Sequence, residues 1–445
     1  MKIIVIGGIA AGMSMAAKAA RENPEADITV IEKENYISFG ACGLPYYLGG
    51  QFENSSSMFA RTVDQMENTG INFLLNTEVT KIDYGSKKVL LTDLIEDEKL
   101  EISYDRLMIA SGASPILPPI DGIDSQNVFT FTRLQAVEEI NSQLDSINSV
   151  AVIGGGFIGI EVAEQLAHVG KEVTLIESGQ SLMNGSFNIE FGKKMQEALE
   201  KSGVTVYTGQ TVTALKTANH RVTQVMTERL QIDTDLVVVA IGFRPNTSFA
   251  KDEQLEMLDN GAISVDRYGE TSIKDVYAAG DAASVYHRQL GNTYLPLATY
   301  ANKMGRLIGT NIVVDREDRL EYVGALGTGA IKVGDYEAGR TGLTEFEAKT
   351  HGYNFKTTTI QASNHTGYWP NRTPVEIKLV YEADTKVLLG AQVFGQQDAV
   401  TRLTGLTAAV HAEMTTDELG FVDFAYAPPF ATTWEAINIA ANTAK

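Results

Sequence analysis

Two short, uninterrupted runs of aliphatic residues have the pattern of strands buried on both faces. Residues 3–6 and residues 150–153 contain no polar side chain, which is typical of the central strands of a parallel sheet. Each run leads into a glycine-rich turn and then into a stretch of helical composition, residues 13–21 and residues 160–168 respectively. The pattern therefore predicts two strand–turn–helix units.

The two units also agree in the segment that comes after the helix. A second aliphatic strand, residues 28–31 in the first unit and residues 172–176 in the second, ends at an acidic residue, Glu32 or Glu177. From the first glycine of the turn to this acid the chain advances 25 residues in the first unit and 23 in the second. Such self-similarity predicts two domains of the same construction.

The two turns read GGIAAG at residues 7–12 and GGGFIG at residues 154–159. Glycines between a strand and a helix let the backbone approach a pyrophosphate, whose charge is held by the amides at the helix start. The acid after the second strand accepts hydrogen bonds from ribose hydroxyls. Only the second turn has all three glycines of G-x-G-x-x-G, because Ile9 replaces the middle one in the first. Ordinary tight turns are the alternative, but a correctly spaced acid in both units favours two dinucleotide sites.

The second site favours NADH over NADPH. Glu177 would repel a 2′-phosphate, and Ser178, Gly179 and Gln180 offer no positive charge to hold one.

Three later segments are predicted to complete the nucleotide domains. Residues 104–112 and 236–242 each form a strand that runs into a small-residue turn. Residues 271–281 are predicted to be a further strand that ends in Gly280-Asp281, where the carboxylate could accept a hydrogen bond from a flavin ribityl chain. Taken alone, a Gly-Asp pair after a strand is more often a simple turn.

Length and composition narrow the class of protein. A chain of 445 residues exceeds one compact core, so two or three domains are expected. A net charge of −20 argues against a nucleic-acid partner, and no apolar run is long enough for a membrane span. The first 20 residues loosely resemble a secretory signal, but they fit the dinucleotide turn better. One cysteine excludes an internal disulfide and a thiolate metal cluster. We expect no metal and a cytoplasmic location.

The single cysteine, Cys42, lies in the sequence SFGACGLPYY, residues 38–47. Pro45 suits a first helical turn, so the thiol is predicted at a helix start, where unpaired amides lower a thiol pKa. A buried, inert cysteine is the usual alternative. Without a second cysteine, the oxidised form must be a sulfenic acid or a mixed disulfide with a small thiol.

Together these motifs resemble the single-cysteine branch of the pyridine nucleotide–disulfide oxidoreductases, which includes coenzyme A disulfide reductase, NADH oxidase and NADH peroxidase. The resemblance covers essentially the whole chain. It implies an α/β fold of two interleaved Rossmann-like domains followed by an α+β dimerisation domain. The implied boundaries are 1–114 and 246–320 for the two halves of the FAD domain, 115–245 for the NAD(P) domain and 321–445 for the dimerisation domain. The protein is expected to be a homodimer.

The resemblance also implies the cofactor-binding residues. For FAD these are Gly7, Ala10, Ala11, Gly12, Glu32, Lys33, Ala110, Ser111, Gly112, Gly280 and Asp281. For NADH, with NADPH as the other possibility, they are Gly154, Gly156, Ile158, Gly159, Glu177 and Gly242.

Within the branch, three features resemble the coenzyme A disulfide reductases. Oxidases and peroxidases carry a histidine in the first glycine turn, where this chain has Ala10. Their cysteine segment usually reads SFLSCG, which differs from the segment around Cys42. Tyr368 and Tyr426 are similar to the paired tyrosines that those reductases supply from the partner subunit. A tyrosine beside a thiolate can protonate it as it leaves.

The same family implies coenzyme A contacts near the first turn and the cysteine. The candidates are Ser14, Lys18, Arg21, Ser38 and Arg61. Lys18 and Arg21 share a helix face and could meet phosphates, although a solvated face is the plain alternative. Ala41 stands where some members carry a side-chain amide.

The sequence thus predicts an NADH- and FAD-dependent enzyme that reduces coenzyme A disulfide, or a related small disulfide or persulfide, through Cys42. An NADH oxidase or peroxidase that cycles Cys42 through sulfenic acid is the alternative, and a non-catalytic flavin redox sensor is a third. We expect no rhodanese module after the dimerisation domain.

Overall fold

The computed structural model describes all 445 residues. The chain divides into two compact units, and each is built from segments that are separate in the sequence. The first unit contains Met1–Gly43, Glu53–Ser114 and Phe243–Ala325, and the second contains Leu44–Phe52, Pro115–Gly242 and Leu326–Lys445. No helix is both long enough and apolar enough to cross a membrane.

A five-stranded parallel sheet forms the centre of the first unit. Its strands, in spatial order, are Val276–Ala278, Arg106–Ile109, Lys2–Ile6, Asp27–Ile31 and Ile71–Leu74. The aliphatic residues of the first strand are buried, as their uninterrupted run predicted. The helix Ala10–Glu22 packs beside the helix Ala298–Asn311 on one face of this sheet.

Smaller elements complete the first unit. A three-stranded antiparallel sheet consists of Thr77–Asp83, Lys88–Asp93 and Lys99–Ser103. Two-stranded ladders pair Ala113–Pro115 with Phe243–Pro245 and Val285–His287 with Gly291–Thr293. The remaining helix is Val63–Glu67, and short 3₁₀ turns are Ala41–Gly43, Ser55–Met58, Ser248–Ala250, Gly280–Ala282 and Arg316–Asp318.

A second five-stranded parallel sheet repeats this construction in the second unit. Its strands, in spatial order, are Val204–Thr208, Glu172–Glu177, Ser149–Ile153, Leu236–Val239 and Val128–Thr130. Its helices are Leu44–Leu48, Leu134–Gln143, Phe157–His168 and Ile189–Lys201, with a 3₁₀ turn at Leu144–Ser146. An antiparallel meander of Val212–Ala218, Arg221–Thr227 and Gln231–Asp233 accompanies it.

The C-terminal part of the second unit is an antiparallel sheet covered by helices. Its strands, in spatial order, are Gly329–Val333, Tyr336–Gly342, Leu388–Gly395, Pro374–Glu382 and Phe355–Ser363. The helices are Glu345–Thr350, Ala399–His411, Thr416–Leu419 and Ala436–Asn442. The long helix Ala399–His411 buries Leu403 and Leu406 against Leu379 and Val393 of the sheet.

The predicted fold class is confirmed, with two parallel-sheet nucleotide domains and a C-terminal α+β domain. The predicted strand over residues 271–281 is too long, because the strand begins only at Val276. Before it, the Thr271 amide closes a turn onto the carbonyl of Val276 at 2.8 Å. Asp275 has a left-handed φ of 66° within that turn, which an extended strand does not allow.

Candidate active site

The first glycine turn brings the first helix close to the sheet. A Cβ atom on Gly12 would lie 1.8 Å from the Gly7 carbonyl oxygen, and one on Gly7 would lie 2.2 Å from the Ala110 oxygen. Gly7 also has a φ of 104°. Side chains at these two positions would therefore push the helix Ala10–Glu22 away from the strand ends. The turn keeps the amides of the helix start available to a pyrophosphate.

Glu32, at the end of the neighbouring strand, is oriented by this turn. One carboxylate oxygen accepts a hydrogen bond from the Gly8 amide at 2.6 Å, and the other accepts one from the Glu34 amide at 2.9 Å. Burial raises the pKa of Glu32. Glu32 has the position of the acid that accepts hydrogen bonds from ribose hydroxyls in a dinucleotide site. The adjacent Lys33 pairs with Glu78 at 2.6 Å.

Asp281 is a further acidic residue near the first glycine turn. It follows Gly280, where a Cβ would lie 3.2 Å from the Ala11 side chain, so the Gly280-Asp281 turn lies against the start of the first helix. Burial raises the pKa of Asp281, and no cation offsets this desolvation. A half-buried carboxylate without a cation partner favours hydroxyl donors, which a ribityl chain supplies. The turn at residues 110–112 is also fixed, because the Ser111 hydroxyl donates to the Asn246 carbonyl at 2.6 Å. These residues fit FAD.

Cys42 is exposed in a 3₁₀ turn and forms no disulfide. The segment before it is fastened to the first glycine turn, since the Ser38 amide donates to the Gly8 carbonyl at 2.9 Å. The Gly40 amide then donates to Met58 at 2.8 Å, and the Gly43 amide donates back to Gly40 at 3.0 Å. The segment from Ser38 to Cys42 is therefore anchored by a hydrogen bond to the first glycine turn, only four residues before the single cysteine. The helix predicted after it begins at Leu44 but has only five residues.

The second glycine turn repeats the first. A Cβ on Gly159 would lie 1.9 Å from the Gly154 oxygen, whereas one on Gly156 would meet nothing within 4 Å. That open space is where a pyrophosphate can approach the backbone. Glu177 accepts hydrogen bonds from the Gly155 amide at 2.6 Å and from the Gly179 amide. These groups fit a nicotinamide dinucleotide.

The remaining residues assigned to this site lie at its borders. Ile158 is within the first turn of the helix Phe157–His168. Gly242 follows the strand Leu236–Val239 with a φ of 123°, and its carbonyl accepts the Ile116 amide at 2.9 Å.

A titratable pair that the sequence did not reveal lies beside the second turn. The Tyr46 hydroxyl is 3.3 Å from a carboxylate oxygen of Glu161, on the helix Phe157–His168. Burial raises the pKa of Glu161 to about 7, with the Tyr46 hydrogen bond opposing the shift. Glu161 therefore exchanges its proton near neutral pH. The two residues are 115 positions apart, and only the GxE spacing after the turn, Gly159 to Glu161, hints at the acid.

Tyr368 and Tyr426, the two tyrosines singled out in the sequence, lie within hydrogen-bond reach of each other in the second unit. A hydrogen bond between their side chains raises the pKa of Tyr426. Both side chains are exposed, Tyr368 to 75% and Tyr426 to 46%. Further exposed aromatic side chains of this domain are Phe346, Trp369, Phe421, Phe430 and Trp434.

The five candidate coenzyme A contacts have different surroundings. The Ser14 hydroxyl donates to Asn302 at 2.8 Å, and Ser38 adjoins the first glycine turn with a φ of 54°. Lys18 pairs with Glu22 on its own helix. Arg21 is exposed on that helix, and Arg61 is exposed and donates to the carbonyl of Ala60 at 2.8 Å. These assignments remain predictions.

Comparison with known proteins assigns the chain to a family. Residues 1–305 match the family model described as pyridine nucleotide-disulphide oxidoreductase, and residues 328–437 match the dimerisation domain of that family. An NAD(P)H coenzyme A polysulfide/persulfide reductase of Pyrococcus horikoshii is 36% identical, over 100% of this chain and 98% of its own length. An NADH oxidase of Enterococcus faecalis is 32% identical, over 100% and 99%.

Among solved structures, the reduced CoADR-RHD of Bacillus anthracis has a TM-score of 0.96 at 33% identity. It is matched over 100% of this chain and 80% of its own. The predictions of an enzyme, of FAD and of NAD(P)H as cofactors are confirmed. The chain belongs to the pyridine nucleotide-disulphide oxidoreductases, and it is a flavoenzyme that uses FAD with a nicotinamide dinucleotide.

Proposed function

We propose that this enzyme uses NADH to reduce coenzyme A disulfide, or the closely related coenzyme A persulfide, through Cys42. The observation that carries the proposal is the tether of the single cysteine to the FAD turn through the hydrogen bond between Ser38 and Gly8. A chain with one cysteine has no internal resolving thiol, so its catalytic disulfide must include a small thiol. The relatives include one named for coenzyme A persulfide reduction.

The reaction balances as NADH, one proton and one coenzyme A disulfide giving NAD⁺ and two molecules of coenzyme A thiol. FAD, when held by the first glycine turn, Glu32 and Asp281, would supply the two-electron chemistry that links NADH to the disulfide between Cys42 and coenzyme A. The sulfur–sulfur bond breaks, one coenzyme A thiol leaves, and Cys42 becomes a thiolate. This thiolate attacks the next disulfide, forms the mixed disulfide again and expels the second thiolate, which takes up a proton.

The tyrosine pair is proposed to supply protons to the departing thiolates. Tyr368 and Tyr426 share a hydrogen bond, and a phenol held in this way can both donate to and protonate a thiolate. Their exposure supports a role at the site of the partner subunit in a homodimer. The matched dimerisation domain supports the same arrangement.

The test replaces Cys42 with serine in the FAD-loaded enzyme. Anaerobic reduction of the flavin by NADH, followed by its absorbance, should proceed as in the parent enzyme. Turnover of coenzyme A disulfide should be abolished, because serine forms no mixed disulfide. Undiminished disulfide turnover in this variant would rule out the mechanism.

An NADH oxidase is the second candidate, and the relative of that name supports it. Oxygen or peroxide would then oxidise Cys42 to a sulfenic acid. Ala10 opposes this function, because the resemblance implies a histidine at this position in oxidases and peroxidases and alanine has no imidazole. A direct measurement distinguishes the two candidates. An oxidase consumes NADH with oxygen as the acceptor, whereas the reductase consumes NADH with coenzyme A disulfide under argon.

A further inference from the structure

A buried arginine joins the two segments that carry the tyrosine pair. Arg402 lies on the helix Ala399–His411 with 7% of its surface exposed. Its guanidinium donates to the Asn364 carbonyl at 2.8 Å and to the Phe430 carbonyl at 3.4 Å. Asn364 precedes Tyr368 by four residues, and Phe430 follows Tyr426 by four. The Arg402 side chain therefore binds the backbone of both segments, the one that carries Tyr368 and the one that carries Tyr426.

Glu435 holds this guanidinium in place. One of its carboxylate oxygens accepts from Nε of Arg402, and the other accepts from the Ile437 amide at 2.6 Å, at the start of the helix Ala436–Asn442. Arg402 also donates to the Asp398 carbonyl at 3.1 Å within its own helix. A planar guanidinium can serve several fixed acceptors at once, which the point charge of a lysine cannot do.

Direct contacts between the two segments complete the network. The Thr366 hydroxyl donates to the Pro428 carbonyl at 3.3 Å. In the segment that carries Tyr368, Nε2 of His365 lies 3.4 Å from a carboxylate oxygen of Asp398. A buried ion pair contributes little net stability, because desolvation offsets its attraction. The pair of Arg402 and Glu435 is therefore better explained by the geometry that it imposes than by the stability that it adds.

We propose that Arg402, held by Glu435, is the positioning residue that fixes the Tyr368–Tyr426 pair for proton delivery, without touching the substrate. Within its own subunit each tyrosine side chain is exposed, so packing inside that subunit does little to fix the two hydroxyl groups. A displacement of about 1 Å can cost on the order of 100-fold in rate where groups must be aligned. The inference rests on the proposed role of the tyrosines in disulfide reduction.

A double-mutant cycle tests the inference in the FAD-loaded enzyme. Arg402→Met with Glu435→Gln removes both charges together, so that no uncompensated charge is left buried. We expect kcat for coenzyme A disulfide to fall roughly 10- to 100-fold, about as far as in Tyr426→Phe. In the Tyr426→Phe background, the same replacement should cause no further loss, because the aligned group is already gone. Flavin reduction by NADH should be unchanged.

A second buried pair in the same unit provides the matched control. Arg340 is also 7% exposed, pairs with Glu347 at 2.7 Å and donates to the Ser186 carbonyl at 2.8 Å, but it contacts neither tyrosine segment. Arg340→Met with Glu347→Gln should leave kcat for the disulfide unchanged in both backgrounds. Hydrogen exchange should rise in residues 364–370 and 426–434 of the Arg402 variant and stay unchanged there in the Arg340 variant.

The outcomes separate this inference from the proposed function. If Tyr426→Phe itself leaves disulfide turnover intact, the proposed role of the tyrosines is wrong. If Tyr426→Phe lowers turnover but the losses multiply in the combined variant, the positioning role of Arg402 is wrong. If the double replacement fails to bind FAD, the same cycle is measured with Arg402→Lys, which keeps the positive charge but has no planar guanidinium. A kcat for Arg402→Lys between those of the parent enzyme and Tyr426→Phe supports the proposal.

Discussion

Glu161 makes the stability of the second unit depend on pH in a direction opposite to that of most carboxylates. Burial raises its pKa from 4.5 to about 7. Between these values the folded state keeps a proton that the unfolded state has released, so the free energy of unfolding falls as pH rises through this window. Below pH 4.5 both states are protonated and the stabilisation is complete. Above the folded pKa it has been lost.

The size of the effect is set by the pKa shift. It corresponds to about 3 kcal/mol between the two limits, as an upper value for a side chain that is not fully buried. For a unit of this size, 1 kcal/mol changes Tm by roughly 2–4 °C. Glutamine has nearly the same shape and never ionises, so Glu161→Gln should escape the loss. The Tm of the variant should exceed that of the parent by on the order of 5–10 °C at alkaline pH and by much less at about pH 5.

Scanning calorimetry of the FAD-loaded protein across this pH range measures the difference directly. Tyr46→Phe removes the hydrogen bond that opposes the shift, so in that variant the fall in Tm should begin at the same pH and continue to a higher pH. Glu197→Gln, at an exposed position of the helix Ile189–Lys201, controls for the loss of one carboxylate. A Tm difference between Glu161→Gln and the parent that does not change with pH would refute the reasoning.

Three further changes test the cofactor sites. Glu177→Ala combined with Ser178→Arg should lower kcat/KM for NADH by about 10-fold or more, through lost hydrogen bonds to the ribose, and should raise it for NADPH; steady-state kinetics with both cofactors check this. Asp281→Ala should weaken FAD retention, seen as less flavin absorbance per polypeptide after gel filtration, while the NADH site stays intact. Gly12→Ala places a Cβ 1.8 Å from the Gly7 oxygen, so it should yield apoprotein with a lowered Tm. Full flavin occupancy in either of the last two variants would contradict the assignment of the FAD site.

Local sequence patterns were sufficient for the elements that build the cofactor sites. The aliphatic strands and the glycine turns depend on neighbouring residues, and the structure has the helix predicted from Met13 over Ala10–Glu22. The helix begins three residues earlier than predicted, directly after Ile9, which provides no capping side chain. The strand expected over residues 271–281 was too long, because nothing in the local pattern reveals the turn that the left-handed Asp275 makes.

Contacts between distant segments could not be derived in the same way. Tyr46 and Glu161 are far apart in the sequence, and so are Arg402 and Asn364. Each of these residues looks ordinary in its own segment, and its role arises only where the fold brings the segments together. The pairing of Tyr368 with Tyr426 was predicted from family resemblance and not from either segment alone. The strand–turn–helix elements of the two nucleotide domains could therefore be derived from the sequence, whereas the network around the tyrosines could not.

The central claim is that Cys42 exchanges electrons with a small thiol. Mass spectrometry of the intact enzyme, purified without reducing agents and treated with coenzyme A disulfide, tests it most directly. We expect one coenzyme A per chain, located on the peptide that contains Cys42 and released when NADH is added. A thiol that stays unmodified, or one that gains only a single oxygen atom, would contradict the claim.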